Sequence, residues 1–155
     1  MNTRRLAPVA LAAAVLLGVT GCAMISPQAT TIPYSPADGV NVPASGPLKV
    51  RNALFVADEA GENANFLAAI VNDTDKAQTL LVGVDGANKS VRVPARSTVS
   101  LGFDDAEPLL FEGLDTPAGA DVDVTFQSGD GEGVLQSVPV LDGTLHYLAD
   151  FVPKS

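Results

Sequence analysis

The sequence predicts an all-β protein, an antiparallel sandwich of seven to nine short strands in a single domain behind an export signal. Three observations carry that expectation. Apolar and polar residues alternate at period two, most cleanly where Val122, Val124 and Phe126 interleave with Asp121, Asp123 and Thr125. Turn-forming clusters recur roughly every 8–12 residues from Leu48 onward, the spacing of a sandwich. No segment sustains the 3.6-residue period of an amphipathic helix. The chain's 155 residues suit one domain, and its 14 Gly and 11 Pro suit many short turns. With one Cys, one His and no Trp, it has no disulfide framework, no Cys/His zinc site and no mechanism needing two histidines.

The N-terminus has the shape of a secretory signal. Arg4 and Arg5 precede an apolar run from Leu6 to Val19, too short for the ~20 residues of a spanning helix. The run ends in Val19-Thr20-Gly21-Cys22, which resembles the lipobox of bacterial lipoproteins. The sole cysteine stands where such a motif places the residue that is lipidated and becomes the new N-terminus. Residues 1–21 are therefore expected to be a signal peptide, and Cys22 an anchor on the extracytoplasmic side of the cell membrane. Cleavage removes Arg4 and Arg5 and no acid, leaving seven basic against eighteen acidic residues. A body so acidic is repelled by nucleic-acid phosphates and anionic headgroups, so no nucleic-acid partner is expected. Attachment must come from acyl chains, of which two or more anchor stably.

Residues 22–47 are expected to form a tether. Pro27, Pro33, Pro36, Pro43 and Pro47 fall here among Ser, Thr, Ala and Gly, a composition that stays extended at ~3 Å per residue. The alternative, that residues 34–42 lie along the domain as an irregular first strand, stays open at this level. The sandwich is assigned to residues 48–155.

Within it, Leu48, Val50, Leu54 and Val56 share one parity against Lys49 and Arg51, predicting a half-buried first strand. Phe66–Val71 is a continuous apolar run closed by Asn72-Asp73-Thr74-Asp75. Leu80–Val84 is stopped by Asp85-Gly86, and Val91 and Val93 alternate with Ser90 and Arg92. Pro94-Ala95-Arg96-Ser97 turns the chain into Thr98–Phe103, and Leu109–Phe111 is short. Asp121–Phe126 reaches the loop Gly129-Asp130-Gly131-Glu132-Gly133, from which Val134–Val140 returns. Leu145–Val152 reads as a last strand or a short docking helix. The expected core is Phe66, Ile70, Leu80, Val82, Val99, Leu101, Leu110, Val122, Val124, Phe126 and Val138.

Several of these strands carry a shared pattern. Val93-Pro94-Ala95-Arg96-Ser97-Thr98-Val99-Ser100-Leu101, Pro108–Leu114, Val122-Asp123-Val124-Thr125-Phe126 and Val138-Pro139-Val140 together resemble the periplasmic copper chaperones of PCuAC type. Phe66–Asn72 with Leu80–Val84 is similar to that family's opening strands, and the likeness runs from about Leu48 to Leu141. The outline, with Tyr34-Ser35-Pro36-Ala37-Asp38-Gly39, also resembles actinobacterial lipoproteins. The resemblance implies a cupredoxin-like or immunoglobulin-like sandwich. In the family, copper sits on two His and two Met, one His-x-Met pair preceding a Gly-Leu. Counting back from Gly113-Leu114 puts Pro108 and Leu110 at those two positions. Neither has a donor atom, and no His or Met occurs between Met24 and His146, so the imidazole and thioether ligands suited to Cu(I) are missing. The resemblance thus implies the fold without its metal, and no cofactor is expected.

Other candidates are weaker. Asp121 and Asp123 alternate with apolar residues, as on a solvated strand face. Asp73 and Asp75, or Asp104, Asp105 and Glu107, offer oxygen ligands for Ca²⁺, but Lys76 and the absence of a loop Gly depart from an EF-hand. Gly83, Gly86, Lys89 and Ser90 lack the Gly-Lys pair of a phosphate loop. His146 has no Gly-x-Ser-x-Gly partner. Asn72-Asp73-Thr74 and Asn88-Lys89-Ser90 match glycosylation sequons that carry no meaning in a bacterium. The chain therefore reads as no enzyme but a membrane-anchored, non-catalytic envelope lipoprotein that binds another protein or a wall polymer. The alternative is an accessory role in copper or other metal handling. Pro108 removes a backbone donor, which predicts an edge strand at Leu110, and the expected contact surface is Glu107, Pro108, Leu110 and Glu112.

Overall fold

The strand with the cleanest alternation, β7 (Asp121–Ser128), buries every second residue without exception. Its inward set, Val122, Val124, Phe126 and Ser128, faces a core built by seven further strands. These are β1 (Leu48–Ala57), β2 (Asn63–Asn72), β3 (Gln78–Val84), β4 (Ala87–Val93), β5 (Ser97–Ser100), β6 (Leu109–Glu112) and β8 (Val134–Leu141). The computed structural model describes residues 37–154. The expected signal segment 1–21, Cys22 and the proline-rich stretch to residue 36 lie outside the described residues.

The strands run in the order β4-β3-β7-β8-β1-β2-β5, with β6 also paired to β2. One layer is β4-β3-β7-β8 and the other is β1-β2 with β5 and β6. Pairing is antiparallel within both layers; the seam between them is parallel, Phe55 opposite Val140 and Val56 opposite Leu141. Strands 1 and 8 are separated by most of the domain, so no hairpin constrains their direction. The β3–β4 turn has positive φ at Asp85 and Gly86, the pair that a two-residue hairpin turn requires.

Four phenylalanines fill the centre. The Phe55 ring lies 5.2 Å from Phe66 and 5.6 Å from Phe111, and Phe66 reaches Phe126 of the opposite layer at 5.9 Å. Tilted and edge-on contacts of this kind add to the burial itself. Phe111, not Leu110, is the core residue of β6. Leu110 is 40% exposed, and Val99 is only partly buried against the cluster; the other nine expected core residues are buried. Phe111 lies on the same side as its register partner Ala64, on the buried face of β2, which turns Leu110 outward with Asn65.

A second difference concerns β1. Leu48 and Val50 enter the main core, whereas Leu54 and Val56 belong to a separate cluster on the outer face. The β1–β2 register shifts between Arg51 and Leu54, where Asn52 has φ +51°. A bulge adds one residue and so reverses which parity points inward. Asn tolerates that left-handed conformation, and its side-chain Oδ1 accepts the Gly39 N–H at 2.8 Å.

Residues upstream of 48 also pack on the sandwich. Val40 and Ala53 exchange backbone hydrogen bonds of 2.9 and 2.8 Å, and Val42 is buried in the core. Ser128 Oγ donates to the Ser45 carbonyl at 3.3 Å and accepts the Leu48 N–H at 3.2 Å. A segment containing Pro43 and Pro47 thus serves as a partial strand, because its prolines fall beyond the two bonded residues. The other end of the domain is neither a strand nor an α-helix. Residues 142–154 are turns with one 3-10 turn at Ala149–Phe151. They lie on the outer face of β1 and β2, where Leu148 is buried against Leu54, Val56 and Leu67, with Phe151 and Val152 beside them. Among the described residues no helix is long and apolar enough to cross a membrane.

Candidate functional site

The continuous apolar run of β2 decides where a site can form. Phe66, Ala68 and Ile70 point into the main core, and Leu67 joins the cluster on the other side. A strand apolar on both faces needs cover on both. The C-terminal segment covers the outer face only in part and leaves a cavity of about 230 Å³. Leu54 and Leu67 form its floor with Ala69 and Ser100, Phe103, Tyr147 and Leu148 form its walls, and Asp38 and Asn52 complete it.

Three local features hold the walls. Strand β5 ends at Ser100, short of the Phe103 that the sequence suggests, because Gly102 turns the chain with φ +88° and accepts no side chain. A Cβ there would stand 2.6 Å from Leu67 Cδ2 and 3.0 Å from Phe151 Cε1. Phe103, carried just beyond that turn, is 55% exposed and stacks edge-on against Phe151 at 5.2 Å. Tyr147 Oη donates to Asp38 Oδ2 at 2.9 Å, tying the C-terminal segment to the stretch before β1. The hydrogen bond to the carboxylate, desolvation and the Asp38 charge all raise the Tyr147 pKa above the usual phenol value. The phenol therefore stays a donor, not a phenolate, across ordinary pH.

Strand β6 continues this face. It pairs with β2 along one side, Leu109 opposite Phe66 through Glu112 opposite Asn63. Glu107 and Glu112 are exposed, Pro108 is half-buried, and Leu110 is exposed. Leu110 shares its face with its register partner Asn65, whose Nδ2 donates to the Phe151 carbonyl at 2.9 Å. Leu110, Phe103, Leu145 and Tyr147, four of the six large exposed apolar residues described, thus belong to β6, the β5–β6 loop and the C-terminal segment. The other two, Leu81 and Leu135, lie on the opposite layer. The sequence offered Leu110 both as core and as contact surface, and the structure exposes it; the cavity had no place among the expected sites. Phe103 beside Asp104 and Asp105 gave one clue, an aromatic in an acidic loop.

The remaining sequence candidates fall elsewhere. Asp73 pairs with Lys49 at 2.5 Å and Asp75 with Arg96 at 2.8 Å, so both carboxylates are engaged on the exposed surface. The Lys49 hydrogen bond and charge hold the Asp73 carboxyl below its usual value against slight desolvation. Asn72, read as a turn residue, is a buried junction. Its Nδ2 donates to the carbonyls of Lys76, Val93 and Pro94 at 2.8, 3.2 and 2.9 Å, and its Oδ1 accepts from the Thr74 N–H and hydroxyl. Asp121 and Asp123 are exposed on the outer face of β7, and Lys89 and Ser90 sit in a strand, not at a helix N-terminus. His146 is exposed, with its ring edge-on to Tyr147 at 5.3 Å. Among the described residues no three His, Cys, Asp or Glu side chains converge as a metal set.

A protein of Leifsonia xyli subsp. xyli named "Putative lipoprotein Lxx21020" is 31% identical over 155 residues, covering 91% of this chain and 93% of that protein. The chain belongs to this lipoprotein family. No family model matches the chain. Among solved structures, the apo PCuAC domain from PmoF1 is similar at TM-score 0.51 and 18% identity, covering 64% of this chain and 97% of that domain. The copper-bound PCuAC domain from PmoF2 is similar at TM-score 0.51 and 16% identity, covering 66% and 97%. The lipoprotein therefore has the PCuAC fold. Identity this low speaks to the fold alone, and the donor chemistry at Pro108 and Leu110 does not fit copper: a proline ring and an alkyl chain stand beside Asn65 and Glu107.

Proposed function

We propose that this lipoprotein is a non-catalytic binding module of the cell envelope, held to the extracytoplasmic face of the cell membrane by lipid on Cys22. The observation that carries the reading is the outer face of the β1–β2–β6 layer. There an apolar cavity lined by the exposed Phe103 and Tyr147 shares a layer with a short edge strand that carries the exposed Leu110. Contact falls to Leu110 and Pro108 at the β6 edge, flanked by Glu107 and Glu112. A short edge bordered by charges discourages indiscriminate strand pairing while leaving room for a selected partner, a protein or a wall polymer. The relative's name supports the lipid anchor, as does the sequence Val19-Thr20-Gly21-Cys22.

Two measurements test this reading. Cys22→Ser is expected to block lipid transfer, moving the protein out of the membrane fraction or leaving unprocessed precursor; palmitate labelling equal to wild type refutes the anchor. Leu110→Asp is expected to remove partners that co-purify from native membranes, and undiminished recovery of all of them refutes the contact surface.

The PCuAC fold favours one alternative, an accessory role in metal handling. Calorimetric titration separates the two readings: heat at micromolar Cu(I) supports the alternative, and none supports a binding module that does not use the metal.

A further inference from the structure

The cavity beside Tyr147 has a size and a charge that narrow what it accepts. At about 230 Å³ it is smaller than the roughly 300–1,000 Å³ of pockets that enclose a drug-sized ligand or cofactor. It matches one medium apolar side chain, and single buried anchors of that kind dominate the affinity of many protein interfaces. Among the described residues Asp38 is the only charged one lining it, and Asp104, Asp105 and Glu107 follow Phe103 in the exposed loop. The nearest base in the strand register is Arg51, opposite Ala69. Its guanidinium is turned to the Val50 and Val42 carbonyls, at 2.9 and 3.5 Å. The approach to the cavity is thus apolar at the centre, with acidic side chains at Asp38 and along residues 104–107 and one cation, Arg51, on the β1 side.

We propose that this cavity is an anchor site for a protein partner that inserts one leucine- or phenylalanine-sized side chain and surrounds it with Lys or Arg. The proposal rests on the binding-module reading and gives it a partner chemistry. Burial of the anchor on Leu54 and Leu67 supplies most of the attraction, and the carboxylates select the sign of the partner's flanks. The Tyr147–Asp38 hydrogen bond fixes the spacing of two walls before the partner arrives, so little ordering is needed on binding.

The test uses the full chain taken from membranes into lipid nanodiscs, and a fluorescent short peptide of lysines around one leucine. By anisotropy, this peptide is expected to bind at least about tenfold tighter than the same peptide with alanine at its centre or with glutamates for lysines. Added salt is expected to weaken it. Ala69→Phe, which fills the cavity from a strand position already half-exposed, is expected to abolish the leucine preference at unchanged melting temperature. Phe103→Asp, at an exposed wall, gives the same readout if Ala69→Phe fails to fold. Equal binding by the alanine or glutamate peptide, or an unchanged preference in both variants, overturns the proposal. So does a self-association that Ala69→Phe removes, which assigns the cavity to a second copy. Binding of dodecylamine with no binding of the leucine peptide also overturns it, in favour of a lipid-like amphiphile. If Leu110→Asp loses native partners while Ala69→Phe keeps them, the cavity proposal falls and the binding role stands. If both variants keep every partner, both fall.

Discussion

The two layers of the sandwich bury their strands differently. In β4-β3-β7-β8 one face meets the core and the other meets water, so β7 alternates without a break and its outer positions are Asp121, Asp123, Thr125 and Gln127. In the layer of β1 and β2 both faces carry apolar residues, and Leu148, Phe151 and Val152 lie across the outer one. The first layer is complete by itself. The second needs a cover, and the cover supplied by Leu148, Phe151 and Val152, with Phe103 against Phe151, is incomplete and leaves the cavity. An incompletely covered apolar face is where a partner gains most by binding.

The largest expected effect separates the two faces of that second layer. Phe126→Ala removes the ring that meets Phe66 across the main core and is expected to cost about 3–5 kcal/mol in denaturant unfolding. That is much of the ~5–15 kcal/mol a domain of this size possesses. Leu148→Ala, in the outer cluster, is expected to cost about 2 kcal/mol, the low end for a buried leucine because the neighbouring cavity already leaves it fewer contacts. A Leu148→Ala loss equal to that of Phe126→Ala breaks the distinction between a main core and a cover.

A smaller effect is expected at the β1–β2 turn. Desolvation is the largest single influence and acts to raise the Asp58 carboxyl, but the bonds it accepts from the Asn63 side chain and from the backbone N–H groups of Glu62 and Asn63 together outweigh it and hold the carboxyl below the usual value. A depressed folded-state pKa stabilises the protein above the unfolded-state value of about 3.9 and loses that contribution as pH falls through the folded one. Asp58→Asn is therefore expected to lower the melting temperature by a few degrees near neutral pH and by less in acid. A deficit that stays constant or grows on acidification contradicts the bonding of this turn.

How much was legible in advance follows the same division between layers. In the first layer the alternation of β7, the Asp85-Gly86 turn and the Val91/Val93 pair all stood in the sequence, because a strand with one wet face records its orientation residue by residue. In the second layer the existence of β1, β2, β5 and β6 was legible, and their facing was not. Phe66–Val71 gives no parity to read, Leu109–Phe111 is too short to give one, and in β1 the bulge at Asn52 breaks the parity that Leu48 and Val50 begin.

The sequence by itself determined the strands, the acidic body and the absence of His and Met between Met24 and His146, since these depend on residue type and local period. Only the tertiary structure decided that Leu110 faces out and Phe111 in, that Leu54 and Val56 leave the main core, and that Asp38 meets Tyr147 across 109 positions of chain. Such facts depend on which distant segment covers which face, and neither composition nor local period records that.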